Sequence, residues 1–319
     1  MTQQNASLDI GYAKLCVTSN FTFLRGASHP EELIARAAAL GLKGIAITDH
    51  NSLAGVVRAF SALKELRREL GEAAQLPKLI IGVRLILRDS HTQWIALPHD
   101  RTAYARLTRL LTVGKRRAPK GKCFLDINDL ITGCVGMSLI ALPQATLRDS
   151  TQDIFALKKH FPGNVFLGAA PRYDGSDQHY FDACAALAQR TAAPMVAIGD
   201  VIMHHASRRQ LADVLTCMRE HITIDQIGAR ALPNAERRLK GKADMQRLFK
   251  RYPAALSRTV EIAAKSSFCL SELSYEYPDE IADNEPPQKR LARQARTGLK
   301  SRYPNGAPEH AIKQMNKEL

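Results

Sequence analysis

The sequence lacks the cysteine spacing of a zinc ribbon or of a disulfide framework. Its six cysteines include no Cys-x-x-Cys pair, and this usage is typical of reduced thiols in an intracellular protein. No apolar run approaches the roughly 20 residues that a membrane span needs. No N-terminal secretory signal is recognisable either. We therefore expect a cytoplasmic protein with no membrane association.

Two long stretches contain no acidic residue. Residues 101–122 carry eight Lys and Arg, and residues 289–302 carry six. Across the chain, 45 Lys and Arg stand against 31 Asp and Glu, which gives a net charge of +14. Such a surface either attracts nucleic acid or is merely a solvated basic face. Because two blocks occur in one chain, we favour phosphate contacts. The predicted DNA-binding loop consists of Lys115, Arg116, Arg117, Lys120 and Lys122, and docking on another protein domain is its alternative role.

Short apolar runs alternate with helical segments along most of the chain. Pro30 near a first turn, Glu31 and Glu32 after it and a stop at Gly41 predict a helix. Apolar strands are predicted at 44–48, 79–81, 94–97, 139–142, 165–167 and 195–198. Helices are predicted at 56–70, 103–113, 180–191 and 208–220. Repeated units of this length predict an α/β fold with a mainly parallel sheet that is closed or nearly closed.

Two strand ends carry residues that could act as metal ligands. The second strand ends in Thr48-Asp49-His50, and a carboxylate beside an imidazole is a common ligand pair at a barrel mouth. The first strand ends in Cys16-Val17-Thr18, where positions 16 and 18 point the same way. A threonine hydroxyl is a poor ligand. The pattern therefore indicates the fold of a metallo-hydrolase that has lost much of its metal-binding chemistry.

The N-terminal part resembles the opening of bacterial C-family DNA polymerases, and among them the error-prone (translesion) group. The resemblance is carried by SNFTFLRGASHPEELIARAAALGLKGIAITDHNSLAGVVR and by the later segments LTRLLTVGKRRAPKGKC, GDVIMHHASRRQLADVLTCMRE, NAERRLKGKADMQRLFKRYP and LSYEYPDE. It implies a disordered segment at 1–11, a PHP-type barrel at 12–273 and a linker with the start of the palm at 274–319. PHP stands for polymerase and histidinol phosphatase, and the implied fold is a distorted (β/α)7 barrel. The implied parent is a magnesium-dependent polymerase whose catalytic aspartates lie beyond this chain, so we expect a fragment.

The resemblance also implies where metal ligands would lie. The family's His-x-His matches Cys16 and Thr18, a following aspartate matches Arg25, and the glutamate of Gly-x-Glu matches Arg84. The second strand keeps Asp49-His50, whereas Asp-x-His has become Asp200-Val201-Ile202. Of the seven aligned positions 16, 18, 25, 50, 84, 200 and 202, only His50 and Asp200 keep the expected residue. Two ligands do not satisfy even a single catalytic zinc, which usually has three. We expect His50 to be held by loop hydrogen bonds.

We therefore expect a chain without a cofactor that braces the palm and contacts the DNA backbone. We also expect Arg25 and Arg84 to fill the space of the metals and to bridge Asp49 and Asp200. One alternative is a surviving zinc- or manganese-dependent phosphoesterase or 3′–5′ exonuclease that uses Cys16, His50, Asp200 and a displaced His204. The other is a freestanding DNA-binding remnant.

Overall fold

The computed structural model describes residues 11–144, 146–275 and 285–319. The contacts divide the chain into one compact unit that ends at Glu272 and a second that runs from Leu273 to Leu319. The predicted disordered segment lies outside the described residues except for Gly11, and so does most of the acidic turn-rich segment that follows residue 274.

The first unit is built around a seven-stranded sheet. Its strands are β1 (Ala13–Val17), β2 (Gly44–His50), β3 (Lys78–Leu85), β4 (Thr92–Pro98), β5 (Met137–Pro143), β6 (Val165–Ala169) and β7 (Met195–Ala197). They lie side by side in sequence order. The neighbours pair in parallel except β4, which is antiparallel to both β3 and β5. No helix separates β3 from β4, so this pair is a local departure from strict β–α alternation.

Helices flank most of these strands. In the first unit they are α1 (Pro30–Ala39), α2 (Ala54–Leu70), α3 (Arg101–Arg116), α4 (Ile127–Gly133), α5 (Ser150–His160), α6 (Asp177–Thr191), α7 (Arg209–Glu220), α8 (Lys242–Leu248) and α9 (Pro253–Lys265). The start of α1 is fixed as its sequence predicts, because Pro30 opens it and Glu32 accepts a hydrogen bond from the backbone of His29. The predicted distorted barrel of seven strands with surrounding helices is confirmed.

The sheet curls until its two ends meet just beyond β1 and β7. Val17 bridges Val201, and the amide of Thr18 donates to the carbonyl of Val201 at 2.8 Å. The apolar interior includes Leu15, Ile95 and Ile140, all fully buried. Because the parallel strands end at the same rim, the residues after β1, β2, β3 and β7 are brought together there.

The second unit contains α10 (Pro287–Arg302) and α11 (Glu309–Glu318). The helix predicted after Pro287 is thus present, and it carries the second basic block. Neither helix has a buried residue. The assignment of this unit to the start of a palm stays a prediction.

Candidate functional site

The rim of the barrel holds a cavity of about 290 Å³ at the ends of β1, β2 and β3. Most of the residues that the family resemblance selects line it: Thr18, Arg25, His50, Arg84, Asp200 and Ile202. His50 on β2 and Arg84 on β3 are register partners, which explains why these two distant positions lie side by side. Cys16 is buried directly behind the cavity, with its Sγ 3.7 Å from Asp200 Oδ1.

An ion-pair cluster occupies one wall of this cavity. Arg84 Nη1 lies 2.6 Å from Asp200 Oδ1, and Arg237 Nη2 lies 2.7 Å from Asp200 Oδ2. Burial alone would raise the pKa of Asp200, but the charges of Arg237 and Arg84 outweigh it and hold that pKa far below 3.8. The Arg84 side chain is only 4% exposed, and its Nε donates to Gln93 Oε1 at 2.5 Å. The expected pairing of Arg84 with Asp200 is therefore present.

Asp49 takes no part in this cluster, which corrects the expectation that guanidinium groups bridge Asp49 and Asp200. The Asp49 carboxylate accepts from the amide of Ser19 at 2.8 Å, from the Ser19 hydroxyl at 2.7 Å and from the Thr22 hydroxyl at 2.7 Å. These donors satisfy both carboxylate oxygens inside the loop after β1. Arg25 likewise forms no ion pair in the described part of the chain and stands at the rim of the cavity.

Cys16 and Thr18 offer poor metal ligands in chemical terms. Burial, reinforced by the charge of Asp200, raises the pKa of the Cys16 thiol to about 12, so the sulfur stays protonated near neutral pH. The Thr18 side chain is almost fully buried, and its Oγ1 has no hydrogen-bond partner among the residues that the structure describes. An unpaired buried hydroxyl that lines a cavity is a vacant donor.

The imidazole of His50 is neutral at physiological pH. Burial first, and then the charges of Arg84 and Arg25, lower its pKa to about 3. Its backbone amide donates to the Thr22 hydroxyl at 3.0 Å. The ring itself has no hydrogen bond within the described residues, so the loop holds His50 through its backbone and not through its imidazole.

His204 does not replace the imidazole that is missing at Ile202. Its Nδ1 lies 2.8 Å from the Ser28 hydroxyl and 3.8 Å from Glu32 Oε2, and it is absent from the cavity lining. The alternative phosphoesterase needs His204 in the site together with Cys16, His50 and Asp200. This set of four ligands is therefore not assembled.

The donor chemistry of this site does not fit the metal cluster that the resemblance implies. Within residues 11–144, 146–275 and 285–319, no group of three or more His, Cys, Asp or Glu side chains could hold a metal ion. At the aligned positions a protonated thiol, a hydroxyl, two guanidinium groups and an isoleucine stand where a metal would need electron-pair donors. Asp200, the remaining carboxylate, already serves two arginines.

Three further arginines line the cavity: Arg219, Arg230 and Arg237. Arg219 extends from α7, and Arg230 ends the short 3-10 helix Gly228–Arg230. Arg237 is positioned because its carbonyl accepts from the amide of Ile202 at 3.0 Å. The sequence analysis missed these arginines. Arg237 lies in the basic segment NAERRLKGKADM and Arg219 in GDVIMHHASRRQLADVLTCMRE, whereas Arg230 lies in neither segment and carries no sequence signal of this kind.

The predicted DNA-binding loop is partly engaged within the protein. Arg117 pairs with Asp129 at 2.7 Å, which removes it from the set of free cations. Lys115, Arg116, Lys120 and Lys122 are exposed, and no ion pair holds them in the described chain. Lys115 and Arg116 form the end of α3, and the rest of the predicted loop follows this helix. The amide of Arg88, just after β3, donates to the carbonyl of Leu125 at 2.9 Å. The segment after the loop therefore lies at the barrel rim that also carries the cavity.

Comparison with known proteins adds an independent line of observation. The model of the PHP domain matches residues 15–173. Error-prone DNA polymerases of Ruegeria pomeroyi, Rhodopseudomonas palustris and Caulobacter vibrioides are 62%, 42% and 40% identical over 97% of this chain. The chain spans only 30%, 28% and 28% of the lengths of these relatives.

Two solved structures are similar at a greater distance. An amidohydrolase from Chromobacterium violaceum is 16% identical with a TM-score of 0.44, and the match covers 60% of this chain and 88% of that one. A protein described as a metal-dependent phosphoesterase from Bifidobacterium adolescentis is 15% identical with a TM-score of 0.41, covering 60% and 87%.

The matched PHP segment begins within β1, extends past β6 and includes Thr18, Arg25, His50 and Arg84, whereas Asp200 and Arg237 lie beyond it. Similarity to the polymerases extends over nearly the whole chain, including the segment that supplies these two residues. The chain therefore carries a PHP domain and is homologous to the N-terminal part of bacterial error-prone DNA polymerases.

Proposed function

We propose that this chain is the PHP-domain part of an error-prone DNA polymerase in which the barrel braces the palm and performs no metal-dependent hydrolysis. The parent activity would be template-directed nucleotidyl transfer in damage-tolerant DNA synthesis, in the cytoplasm. The catalytic aspartates that the family resemblance implies would be supplied by the rest of the polymerase polypeptide.

The observation that carries the structural role is the position of Arg84. Its guanidinium lies across Asp200, one of the two ligands that survive, with N–O distance 2.6 Å. A positive group tied to that carboxylate competes with a metal ion for the same oxygen atoms. A barrel that binds no metal ion would serve the polymerase by packing against the palm.

An exposed apolar stripe on α7 supports docking to the rest of the polymerase. Leu211, Val214 and Met218 are 39%, 44% and 55% exposed, and their spacing of three and four residues places them on one helix face. Phe23, which is 82% exposed, lies in the loop whose Leu24 carbonyl accepts from Arg219 at 2.8 Å. An apolar face of this kind marks an interaction surface. The chain spans about 30% of the length of its relatives, and we assign the palm as the occupant.

The test uses the polymerase polypeptide that contains this chain, with Leu211→Lys and Met218→Lys combined. We expect the double variant to unfold the polymerase region at a lower temperature and to reduce primer extension. The matched control is Leu70→Lys, because Leu70 is 60% exposed on α2 and also apolar. Equal behaviour of the two variants would contradict docking through α7.

A second role, contact with the DNA backbone, is favoured by the exposed cations of the basic loop. Lys115, Arg116, Lys120 and Lys122 could bind phosphates without reading sequence. We expect weak, salt-dependent binding of duplex DNA that falls when Lys115 and Lys120 are both changed to Gln. Strong binding by the isolated chain would favour the freestanding DNA-binding alternative, and binding unchanged in this variant would exclude the loop.

A further inference from the structure

The arginine-lined cavity at the barrel rim carries an excess of positive charge. Five arginines line it, contributed by the loop after β1, β3, α7, the 3-10 helix and the loop before α8: Arg25, Arg84, Arg219, Arg230 and Arg237. Among the residues that the structure describes, Asp200 is the single carboxylate in the lining. The lining thus has four more positive than negative groups, inside a cavity of about 290 Å³.

The positive charges are only partly compensated. Asp200 engages Arg84 and Arg237, and Arg219 donates to the carbonyl of Leu24 at 2.8 Å and to Glu220 at 3.1 Å. Arg25 and Arg230 have no acidic partner in the described part of the chain. Arg25 also faces Arg219 and Arg84, and partial burial together with these like charges lowers its pKa. Guanidinium groups gathered in this way repel one another unless an anion lies between them.

Neutral polar side chains also line the cavity, among them Thr18 and His50. Thr18 is 1% exposed and its hydroxyl has no partner in the described part of the chain, so it can donate to a ligand in the cavity. His50 also lines the cavity, where a ring N–H of a neutral imidazole would add a donor without adding charge. Buried polar groups are normally paired, so the vacancy at Thr18 points to a ligand independently of the arginines.

The geometry suits an oxyanion with several acceptor oxygens. Guanidinium groups donate in planar forks that match phosphate oxygens, and they stay charged at every physiological pH. Asp200 weakens the positive potential at one wall, but both its oxygens are held by arginines. A second cavity of about 350 Å³ adjoins this wall and adds Arg172, which leaves room for a group attached to the bound phosphate.

We propose that this cavity binds a phosphate-bearing anion directly through its arginines, without a metal ion. The arginines take over the positive charge that metal ions would have supplied, and the phosphate is bound but not hydrolysed. The phosphate could belong to a free species, such as pyrophosphate, or to a nucleic-acid end. Both sources offer the same terminal oxygens to the cavity.

The experiment titrates the whole chain by calorimetry in the presence of EDTA with inorganic phosphate, pyrophosphate and a 5′-phosphorylated oligonucleotide. Arg25→Gln combined with Arg230→Gln removes two charges that do not hold Asp200, so the fold is retained. We expect this variant to weaken binding at least about tenfold. The control Lys115→Gln with Lys120→Gln removes the same charge from the basic loop and should change affinity less than about twofold. Thr18→Val should weaken binding without any change in net charge.

Each outcome decides the proposal. Saturable pyrophosphate binding that depends on Arg25 and Arg230 supports a site for free phosphates. Oligonucleotide binding with the same dependence, displaced by pyrophosphate, supports a site for nucleic-acid ends. The proposal is overturned if none of the three probes saturates, or if the control weakens binding as much as the rim variant.

Discussion

Replacement of Arg84 by Met tests whether the Arg84–Asp200 pair is a structural element of the barrel. The change removes a guanidinium that is 4% exposed and lies 2.6 Å from Asp200, and it leaves Gln93 without its donor. Breaking a buried ion pair typically costs about 3–5 kcal/mol. Asp200 keeps Arg237 and is 23% exposed, so we expect the lower end, about 3 kcal/mol.

The assay is urea unfolding at pH 7, with the midpoint expected to fall and the slope to stay constant. Arg237→Met is the matched control. Its side chain is 34% exposed, so we expect a loss of only about 1 kcal/mol. The arginines lower the folded-state pKa of Asp200, so their stabilisation is present above pH 3.8 and is lost as the pH falls further. The gap between parent and Arg84→Met should therefore narrow in acid. If Arg84→Met were as stable as the parent at pH 7, the Arg84–Asp200 pair would not be a structural element of the barrel.

Two further predictions concern buried groups away from the arginines. Lys14 is fully buried, with Met245 Sδ 3.6 Å from its Nζ, and burial lowers its pKa from 10.5 to about 7. Between pH 7 and 9 the unfolded chain therefore binds more protons than the folded chain. The free energy of unfolding should rise by about 2 kcal/mol over this range. Urea unfolding at both pH values should show this rise in the parent and not in Lys14→Met, and equal slopes with pH would contradict it. In Gly55→Ala the new Cβ would lie 2.5 Å from Asp49 Oδ2 and 2.8 Å from Ser19 Oγ, so we expect a loss of about 2 kcal/mol despite the better helix propensity of alanine. In Gly298→Ala in α10 the new Cβ would meet no atom within 4 Å outside its own stretch of helix in the described chain, so we expect no loss of unfolding free energy in the same measurement.

Much of the fold could be predicted from the sequence because each strand is a short apolar run next to a helical pattern. Pro30 and Glu32 fixed the start of α1, and the apolar runs located the sheet. The antiparallel placement of β4 was not specified, because apolar runs carry no direction. The hairpin between β3 and β4 depends on residues 86–91, which show no strong turn signature.

The site was predictable only where strand order decides the contacts. Arg84 at the end of β3 and Asp200 after β7 lie at the same rim, and they meet as expected. Asp49 lies at the same rim, but its carboxylate accepts hydrogen bonds from Ser19 and Thr22 in the loop after β1. The periodicity of the sequence does not specify these partners. Arg237 lies 37 residues after Asp200 and reaches it only because its segment pairs with Ile202. Such a contact depends on tertiary structure.

Metal content by plasma mass spectrometry, after dialysis of the chain against micromolar zinc and manganese, tests whether the barrel keeps a metal site. We expect far less than one ion per chain, both in the parent and in Arg84→Glu, because the remaining donors are a protonated thiol, a neutral imidazole and a carboxylate that two arginines already hold. A stoichiometric, tightly held ion that is lost in His50→Ala would show instead that the site supports metal-dependent hydrolysis.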